Sequence, residues 1–305
     1  MKYTRKLSNL NKTIVQMNLT PGKNHFELSA QNFFFPRKVI SDIYPDFPDH
    51  PQLANTTFKV YLYLCMYCDG LSGKVYFSSK QKIAETLKLP PYSSYIEWSL
   101  DWLETHHFIR DIREDDKLRF QAQVLSAPDY LPELDTFYSC KEIKRNPASL
   151  KQHNYGYIMV PTSAITEKML DQSVTRTGWD ERKLRIFLLM HQYNWLRYYG
   201  GIDPDIMHIT QNGELELDTR FCYDVKSTPY NTFQTIQSFI NADLFRPVRC
   251  IFQQKDGEKV FLRDALGGGS LQKNEYEIIV LRPHVLIKRH VDELVKLLGK
   301  GSVIL

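Results

Sequence analysis

The chain has 305 residues, of which 43% are hydrophobic and 24% charged, and its net charge is +4. These values are typical of a globular protein of two ordinary domains, and so mild a charge does not by itself indicate a polyanion partner. The basic first residues lead into no apolar segment, so no secretory signal is predicted, and no apolar run is long enough for a membrane helix. We therefore expect a cytoplasmic protein that makes no membrane contact.

A basic arm is predicted over residues 1–30, and the first domain over 31–127. The domain opens with FFFPRKVI, an apolar strand-like segment closed by proline. A helix is predicted next over 55–69, because its apolar residues recur on one face. Asn55 is the predicted N-cap, and Gly70 the predicted stop.

Two further helices and a hairpin complete this domain. A short strand over 74–77 precedes the second helix, for which Ser78 or Ser79 is the predicted cap. The tight turn PPYSS leads into a third helix from about Ser94 to His106. The segments FIRDI and LRFQAQV, which alternate apolar and polar residues on either side of REDDK, predict a β-hairpin.

The same order of elements recurs in a predicted second domain over 155–266. LDWLETHHFIRDI (100–112) repeats as IQSFINADLFRPV (236–248), with apolar residues in matching places at a constant offset of 136 positions. The predicted elements of this copy are a helix over 180–199 capped by Asp180, a short helix near 218–226, a helix over 231–243 and a hairpin with Asp256–Gly257 at its tip. The repeat indicates an internal duplication.

Three helices followed by a hairpin, with the second and third helices joined by a tight turn, predict a winged helix-turn-helix. The predicted fold class is therefore α+β, with two winged helices in tandem. Residues 128–154 are predicted to be a linker. Residues 267–305 are predicted to add the strand YEIIVL and the short amphipathic helix VDELVKLL.

Over about residues 31–265, this arrangement of two winged helices, each led by an FxxP-type strand, resembles the replication initiators of bacterial plasmids and phages. The resemblance implies sequence-specific binding of double-stranded DNA and a role in starting replication. It also implies self-association through the first winged helix.

No catalytic constellation is present, so the protein is not expected to be an enzyme and no cofactor is expected. Cys65 and Cys68 have CxxC spacing, but they lie in an apolar helical segment with no second Cys or His pair at zinc-binding distance. Small cysteines packed in a helix are the favoured interpretation. The LGGGSL segment lacks the Gly-Lys-Ser/Thr ending that a phosphate-binding loop requires.

Basic residues recur in the predicted hairpins and in the second helix of the first copy. A winged helix places such positions along the DNA backbone, whereas the alternative is that they are solvated charges that protect strand edges. The predicted phosphate-binding residues are Lys80, Lys82, Arg113, Lys117, Arg119, Arg249, Lys255 and Lys259.

The two predicted third helices contain no Lys or Arg, and they differ from each other. The second carries amides that can pair with base edges, whereas the first carries Glu97 and Asp101. The predicted base-reading residues are Ser93, Ser94, Asn231, Gln234, Gln237 and Asn241. Tyr95, Trp98 and Trp102 form an aromatic stripe on the first, which is either a protein interface or packed internally.

The sequence thus favours a non-enzymatic protein that binds double-stranded DNA, with replication initiation as the role implied by the resemblance. A transcriptional regulator is the first alternative, because it needs the same DNA chemistry. A protein–protein scaffold is the second, and the acidic third helix of the first copy favours it. The expected partners are duplex DNA, a second copy of the chain, and the replication or transcription machinery.

Overall fold

The structure, a computed structural model, describes residues 1–7, 27–29, 31–36, 39–40, 50–68, 74–89, 94–114, 119–124, 157–169, 180–194, 201–255, 258–264 and 271–287. The described part is a mixed α+β protein in which all but one of the strand pairings are antiparallel. It divides into two compact units, which we call unit I (Asn32–Gln192) and unit II (Met1–Gln31 with Tyr193–Leu305).

The elements of unit I are β3 (Asn32–Pro36), α1 (Pro51–Tyr67), β4 (Lys74–Ser79), α2 (Lys80–Leu87), α3 (Ser94–Thr105), β5 (Ile109–Glu114), β6 (Arg119–Val124), β7 (Tyr157–Pro161), a π-helix (Ala164–Met169) and α4 (Glu181–Gln192). Those of unit II are β1 (Lys2–Lys6), β2 (Glu27–Ser29), β8 (Met207–Ile209), β9 (Glu214–Asp218), α5 (Thr219–Asp224), α6 (Pro229–Asn241), β10 (Phe245–Lys255), β11 (Glu258–Asp264), β12 (Glu275–Pro283) and β13 (Val285–Ile287).

The division after Gln192 differs from the boundaries predicted at 31–127 and 155–266, and one strand pairing explains why. The two proline-closed strands, β3 and β7, pair antiparallel with each other, with Phe34 opposite Met159. Helix α4 packs against β7 and α1, so the first helix of the second repeat belongs to unit I. Asp180 caps α4 as predicted, accepting a hydrogen bond from the Lys183 amide (2.8 Å).

Helix α1 begins four residues before the predicted cap, Asn55, which lies inside the helix. The imidazole of His50 accepts a hydrogen bond from the Leu53 amide (3.4 Å), and Pro51 occupies the first turn, where its missing N–H costs nothing. The predicted apolar face is buried, including Cys65, as expected. The predicted stop at Gly70 lies outside the described residues.

The next elements of unit I follow the prediction closely. Ser79 caps α2 by accepting a hydrogen bond from the Lys82 amide (3.1 Å), and left-handed Lys88 (φ 54°) ends it. β5 and β6 form the predicted hairpin, and β4 pairs with the outer side of β6 to give the sheet order β4-β6-β5. The buried apolar residues of α2 and α3 are those on the predicted faces: Ile83, Ala84, Leu87, Ile96, Leu100 and Leu103.

The two copies of the opening motif share the same break between helix and strand. In the first copy, His107 has φ 60° and the Phe108 amide donates to the Leu103 carbonyl (2.8 Å). In the second, Asp243 has φ 58° and the Leu244 amide donates to the Phe239 carbonyl (2.9 Å). This left-handed residue allows the next amide to donate to a carbonyl in the last turn of the helix, which would otherwise lack a hydrogen-bond donor. The two copies of the motif therefore share the same backbone conformation at the end of the helix.

Unit II is built on a six-stranded sheet with the order β1-β9-β8-β12-β10-β11. The predicted hairpin of β10 and β11 is present, with a bulge between Ile251 and Phe252. β10 also pairs with β12 along nine residues, so it lies inside the sheet and is not an edge. The predicted YEIIVL strand is part of β12, whereas β8 and β9 were not predicted, and the predicted helix over 291–298 lies outside the described residues.

Helices α5 and α6 follow β9 and are joined by a short turn. α5 occupies 219–224 and α6 occupies 229–241, close to the predicted 218–226 and 231–243. Thr228 caps α6 by accepting a hydrogen bond from the Asn231 amide (3.2 Å), and Pro229 again occupies the first turn. Among the described residues, no helix combines the length and the apolar character needed to cross a bilayer.

Candidate nucleic-acid interface

The predicted phosphate-binding lysines of α2 lie in its first turn. Lys82 is exposed, while Lys80 Nζ lies 3.1 Å from Glu97 Oε1 on α3. Such an exposed pair contributes at most about 1 kcal/mol, so a phosphate could displace the carboxylate. In the structure, however, Lys80 is already paired with a carboxylate, that of Glu97.

The hairpin of unit I carries the next predicted basic residues. Arg113 lies in β5 opposite Gln121, and Arg119 lies in β6 opposite Ser79, the cap of α2. This register brings the backbone of the hairpin next to the start of α2. Lys117 and the predicted base-reading Ser93 lie outside the described residues.

The aromatic stripe of α3 is not uniformly exposed. Trp98 is 52% exposed, and its ring meets the half-buried Tyr95 edge-on at 5.4 Å. Trp102 is half-buried and stacks on His106, with ring centroids 4.0 Å apart. Trp102 is therefore partly packed within unit I, whereas Trp98 faces solvent.

The surface of α3 is acidic as well as aromatic. Glu97, Asp101 and Glu104 are all exposed. Ser94, the predicted base-reading residue at the start of the helix, is also exposed. Because a carboxylate is repelled by DNA phosphates, this helix is poorly suited to a duplex and better suited to a protein surface.

Helix α6 presents a face of a different kind. Tyr230, Gln234 and Asn241 are exposed, Asn231 is half-exposed, and the helix contains no charged residue. Side-chain amides can donate to and accept from base edges, adenine above all. The face is therefore chemically suited to reading bases, with no charge of its own to hold the backbone.

Gln237 does not belong to this face, which corrects its predicted role in base reading. It is only 7% exposed, and its side-chain nitrogen donates to Asn241 Oδ1 (3.4 Å). The reason is periodicity: Gln237 lies one turn after Phe233 and one turn before Ile240, both of which are buried.

The hairpin of unit II holds the remaining predicted phosphate-binding residues. Arg249 is partly exposed, and its Nε lies 3.6 Å from Glu277 Oε1 on the neighbouring β12. Lys255 ends β10 opposite Glu258, and Lys259 in β11 lies opposite Gln254. β12 thus supplies a carboxylate beside Arg249 that the sequence prediction did not include.

The sequence prediction missed a basic residue beside α6, because that residue comes from the arm. β1 pairs antiparallel with β9 at the edge of the sheet. There the exposed guanidinium of Arg5 lies 4.6 Å from the centroid of the Tyr230 ring and 5.4 Å from that of Phe233. A hydrogen bond with Tyr3 is the main cause of a raised pKa at Arg5. Arg5 therefore stays cationic at the first turn of α6.

The pairing of β1 with β9 combines opposite charges on its other side. Lys2, Thr4 and Lys6 lie opposite Asp218, Glu216 and Glu214, and Lys2 forms an ion pair with Glu216. Asp218 also caps α5, accepting from the Arg220 amide (2.9 Å). A side-chain hydrogen bond from Arg220 holds the pKa of Asp218 below its usual value. The pairing with β9 and the ion pair between Lys2 and Glu216 hold β1 against the sheet of unit II.

Among the described residues, no group of three or more His, Cys, Asp or Glu side chains is placed to hold a metal ion. The half-buried Cys68 donates from its Sγ to the Cys65 carbonyl (3.4 Å), and burial raises the pKa of Cys65 well above its usual value. Comparisons of the chain with protein-family models, with curated proteins and with solved structures gave no match.

Proposed function

We propose that the protein binds double-stranded DNA and that α6 reads the bases. The observation that carries this proposal is the exposed face of α6, which bears the side chains of Asn231, Gln234 and Asn241, contains no carboxylate and has a cationic arginine at its first turn. α5 and the turn before α6 supply the first half of a helix-turn-helix, in which the second helix enters the major groove.

The topology of unit I supports a winged helix as its fold. The chain runs α1, β4, α2, α3, β5 and β6, and β4 pairs with β6 to complete a three-stranded sheet. Unit II contains the last two helices of the series and the hairpin, whereas the first helix of this copy, α4, lies in unit I, and β9 pairs with β1 and β8 and not with β11. In this proposal unit II supplies the helix-turn-helix and the wing of the second winged helix, with a sheet extended by further strands.

The two units would then divide the work. The acidic α3 of unit I is unfavourable beside phosphates, while the uncharged α6 of unit II is not. Base reading is accordingly assigned to unit II, and backbone contacts to the hairpins. Replication initiation is the biological role that the tandem arrangement and its resemblance to plasmid and phage initiators favour; regulation of transcription would use the same contacts.

Titration of the full chain with random-sequence duplex at increasing salt tests DNA binding. Each phosphate contact releases counterions, so the logarithm of the binding constant should fall linearly with the logarithm of salt concentration, with a slope of about −0.9 per contact. Binding that is absent, or that does not change with salt, would contradict the proposal. Loss of plasmid maintenance in a host carrying a disrupted copy would then separate an initiator from a regulator.

A scaffold is the second candidate function, and Trp98 favours it. A tryptophan exposed by 52% within an acidic helix surface is typical of the centre of a protein interface surrounded by a polar rim. The two functions are compatible if unit I binds protein and unit II binds DNA. The salt titration distinguishes a pure scaffold, because a scaffold shows no binding to the duplex.

A further inference from the structure

The basic strand β1 places one arginine against the helix proposed to read DNA. Tyr3 and Arg5 lie on the same side of β1, since both are near Phe233. The ring centroids of Tyr3 and Phe233 are 6.5 Å apart, and the guanidinium carbon of Arg5 lies 5.4 Å from the Phe233 centroid. Arg5 also lies over Tyr230, whose side chain is 49% exposed. The guanidinium is therefore held at the surface beside the first turn of α6 by two aromatic rings.

A cation in this place supplies what α6 lacks. A helix in the major groove lies between two rows of phosphates, and the affinity of most DNA-binding proteins comes largely from Lys and Arg contacts to them. The thirteen residues of α6 include neither Lys nor Arg. Any phosphate contact from a charged side chain close to this helix must come from another element.

Arg5 fits this role better than its neighbours on the same strand. Lys2 is paired with Glu216, and Lys6 lies opposite Glu214. Of the described residues, no carboxylate lies within ion-pair distance of Arg5. An arginine stacked on a ring uses its face for that contact, so the N–H groups that its hydrogen bonds with Tyr3 and Tyr230 do not use can donate to a phosphate.

We infer that Arg5 binds a backbone phosphate of the duplex next to the bases that face α6, so that strand β1 is part of the DNA-binding surface. The inference rests on the proposed function, because it assigns a further contact to the same interface. Tyr230 is a positioning residue in this account: its ring orients the guanidinium. Phosphate binding predicts a sequence-independent effect, since phosphates are the same at every base pair.

Binding of random-sequence duplex to Arg5→Gln, measured as a function of salt, tests the inference. The affinity should fall about tenfold, the usual effect of losing one charge-assisted hydrogen bond. The slope of the salt dependence should decrease in magnitude by about one. Lys2→Gln is the matched control, because it removes the same charge from the same strand on the side paired with Glu216. Arg5→Lys keeps the charge, so it should keep the slope.

Three outcomes distinguish a failure of the proposed DNA binding from a failure of the role assigned to Arg5. If the wild-type chain binds no duplex, the proposed function falls and takes this inference with it. If the wild-type chain binds and Arg5→Gln matches Lys2→Gln in affinity and slope, only the assignment of Arg5 is overturned. A lowered melting temperature for Arg5→Gln would mean that the substitution also disturbs the packing of β1, so that a loss of affinity could not be attributed to the missing charge. Tyr230→Leu, which keeps Arg5 but removes its ring, then becomes the deciding variant: unchanged duplex affinity overturns the inference, and a several-fold loss supports it.

Discussion

Lys80 and Glu97 form an ion pair between the first turn of α2 and the exposed side of α3, with Nζ and Oε1 3.1 Å apart. The sequence predicted opposite roles for them, since Lys80 was assigned to phosphate and Glu97 to a surface that phosphate avoids. The residue predicted to bind phosphate and the residue predicted to repel it are therefore in direct contact. Whether α2 contacts DNA through Lys80 therefore depends on whether Lys80 prefers a phosphate or Glu97.

Glu97→Gln should make Lys80 available to a phosphate and strengthen binding to random duplex about threefold, the effect of an exposed ion pair of well under 1 kcal/mol. Glu85→Gln is the matched control, because Glu85 is exposed on α2 and accepts a hydrogen bond from Gln81 (2.9 Å). The two variants have the same net charge. Equal affinities for both would show that Lys80 does not contact DNA.

The hairpin of unit I should contribute sequence-independent affinity. Changing Arg113, Lys117 and Arg119 together to Ala should weaken specific and random duplexes alike and lower the salt slope by about one for each lost contact. Lys273→Ala, at an exposed lysine outside both hairpins, should leave the slope unchanged. A triple variant with the wild-type slope would mean that the three charges are merely solvated.

Trp98 should be the centre of a contact between copies of the chain, whereas Trp102 should stabilise unit I. Trp98→Ala should lower the mass seen in sedimentation and change the free energy of unfolding by less than about 1 kcal/mol. Trp102→Ala should cost about 2 kcal/mol or more, because its ring stacks on His106 and lies 5.4 Å from Phe108. If Trp98→Ala and the double variant that also carries Trp102→Ala both fold and keep the wild-type mass, self-association through the aromatic stripe of α3 is excluded.

Acid should destabilise unit I through His191. Burial lowers the pKa of this histidine to about 4, from an ordinary value of 6.5. The unfolded chain therefore takes up a proton near pH 6.5, while the folded chain does so only near pH 4. Stability should fall as the pH drops from about 6.5 to about 4, by about 1.4 kcal/mol for each pH unit below 6.5.

His191→Gln removes this titration and keeps an N–H group that can donate to the Phe187 carbonyl, which lies 3.0 Å from His191 Nδ1. Thermal melting between pH 7 and pH 4 should show a smaller decline for the variant than for the wild type. Identical declines would mean that other groups govern the loss in acid.

The elements predicted well are those whose signals are local. Ser79 caps α2 by accepting a hydrogen bond from the amide of Lys82, three residues later in the chain. The left-handed residues His107 and Asp243 end α3 and α6 at matching positions of the repeated segments 100–112 and 236–248. Gln237 was assigned wrongly although its signal was also local: its spacing from Phe233 and Ile240 places it on the buried face.

The features that could not be predicted come from residues far apart in the chain. β1 is five residues long and pairs with a strand more than two hundred positions away, so nothing near Arg5 in the sequence points to α6. The pairing of β3 with β7 likewise moves α4 into unit I. The sequence indicates some of the strands, such as β10 and β11, but not the partners with which they pair.

Selection of bound sequences from a random duplex pool, for the wild type and for Gln234→Ala, tests the central claim most directly. Gln234 is exposed in the middle of the amide-bearing face of α6, and one good base contact provides about 1–3 kcal/mol of discrimination. The account predicts a defined motif for the wild type and a motif relaxed at one or two adjacent positions for the variant. Identical motifs, or a wild type that selects no motif, would contradict base reading by α6.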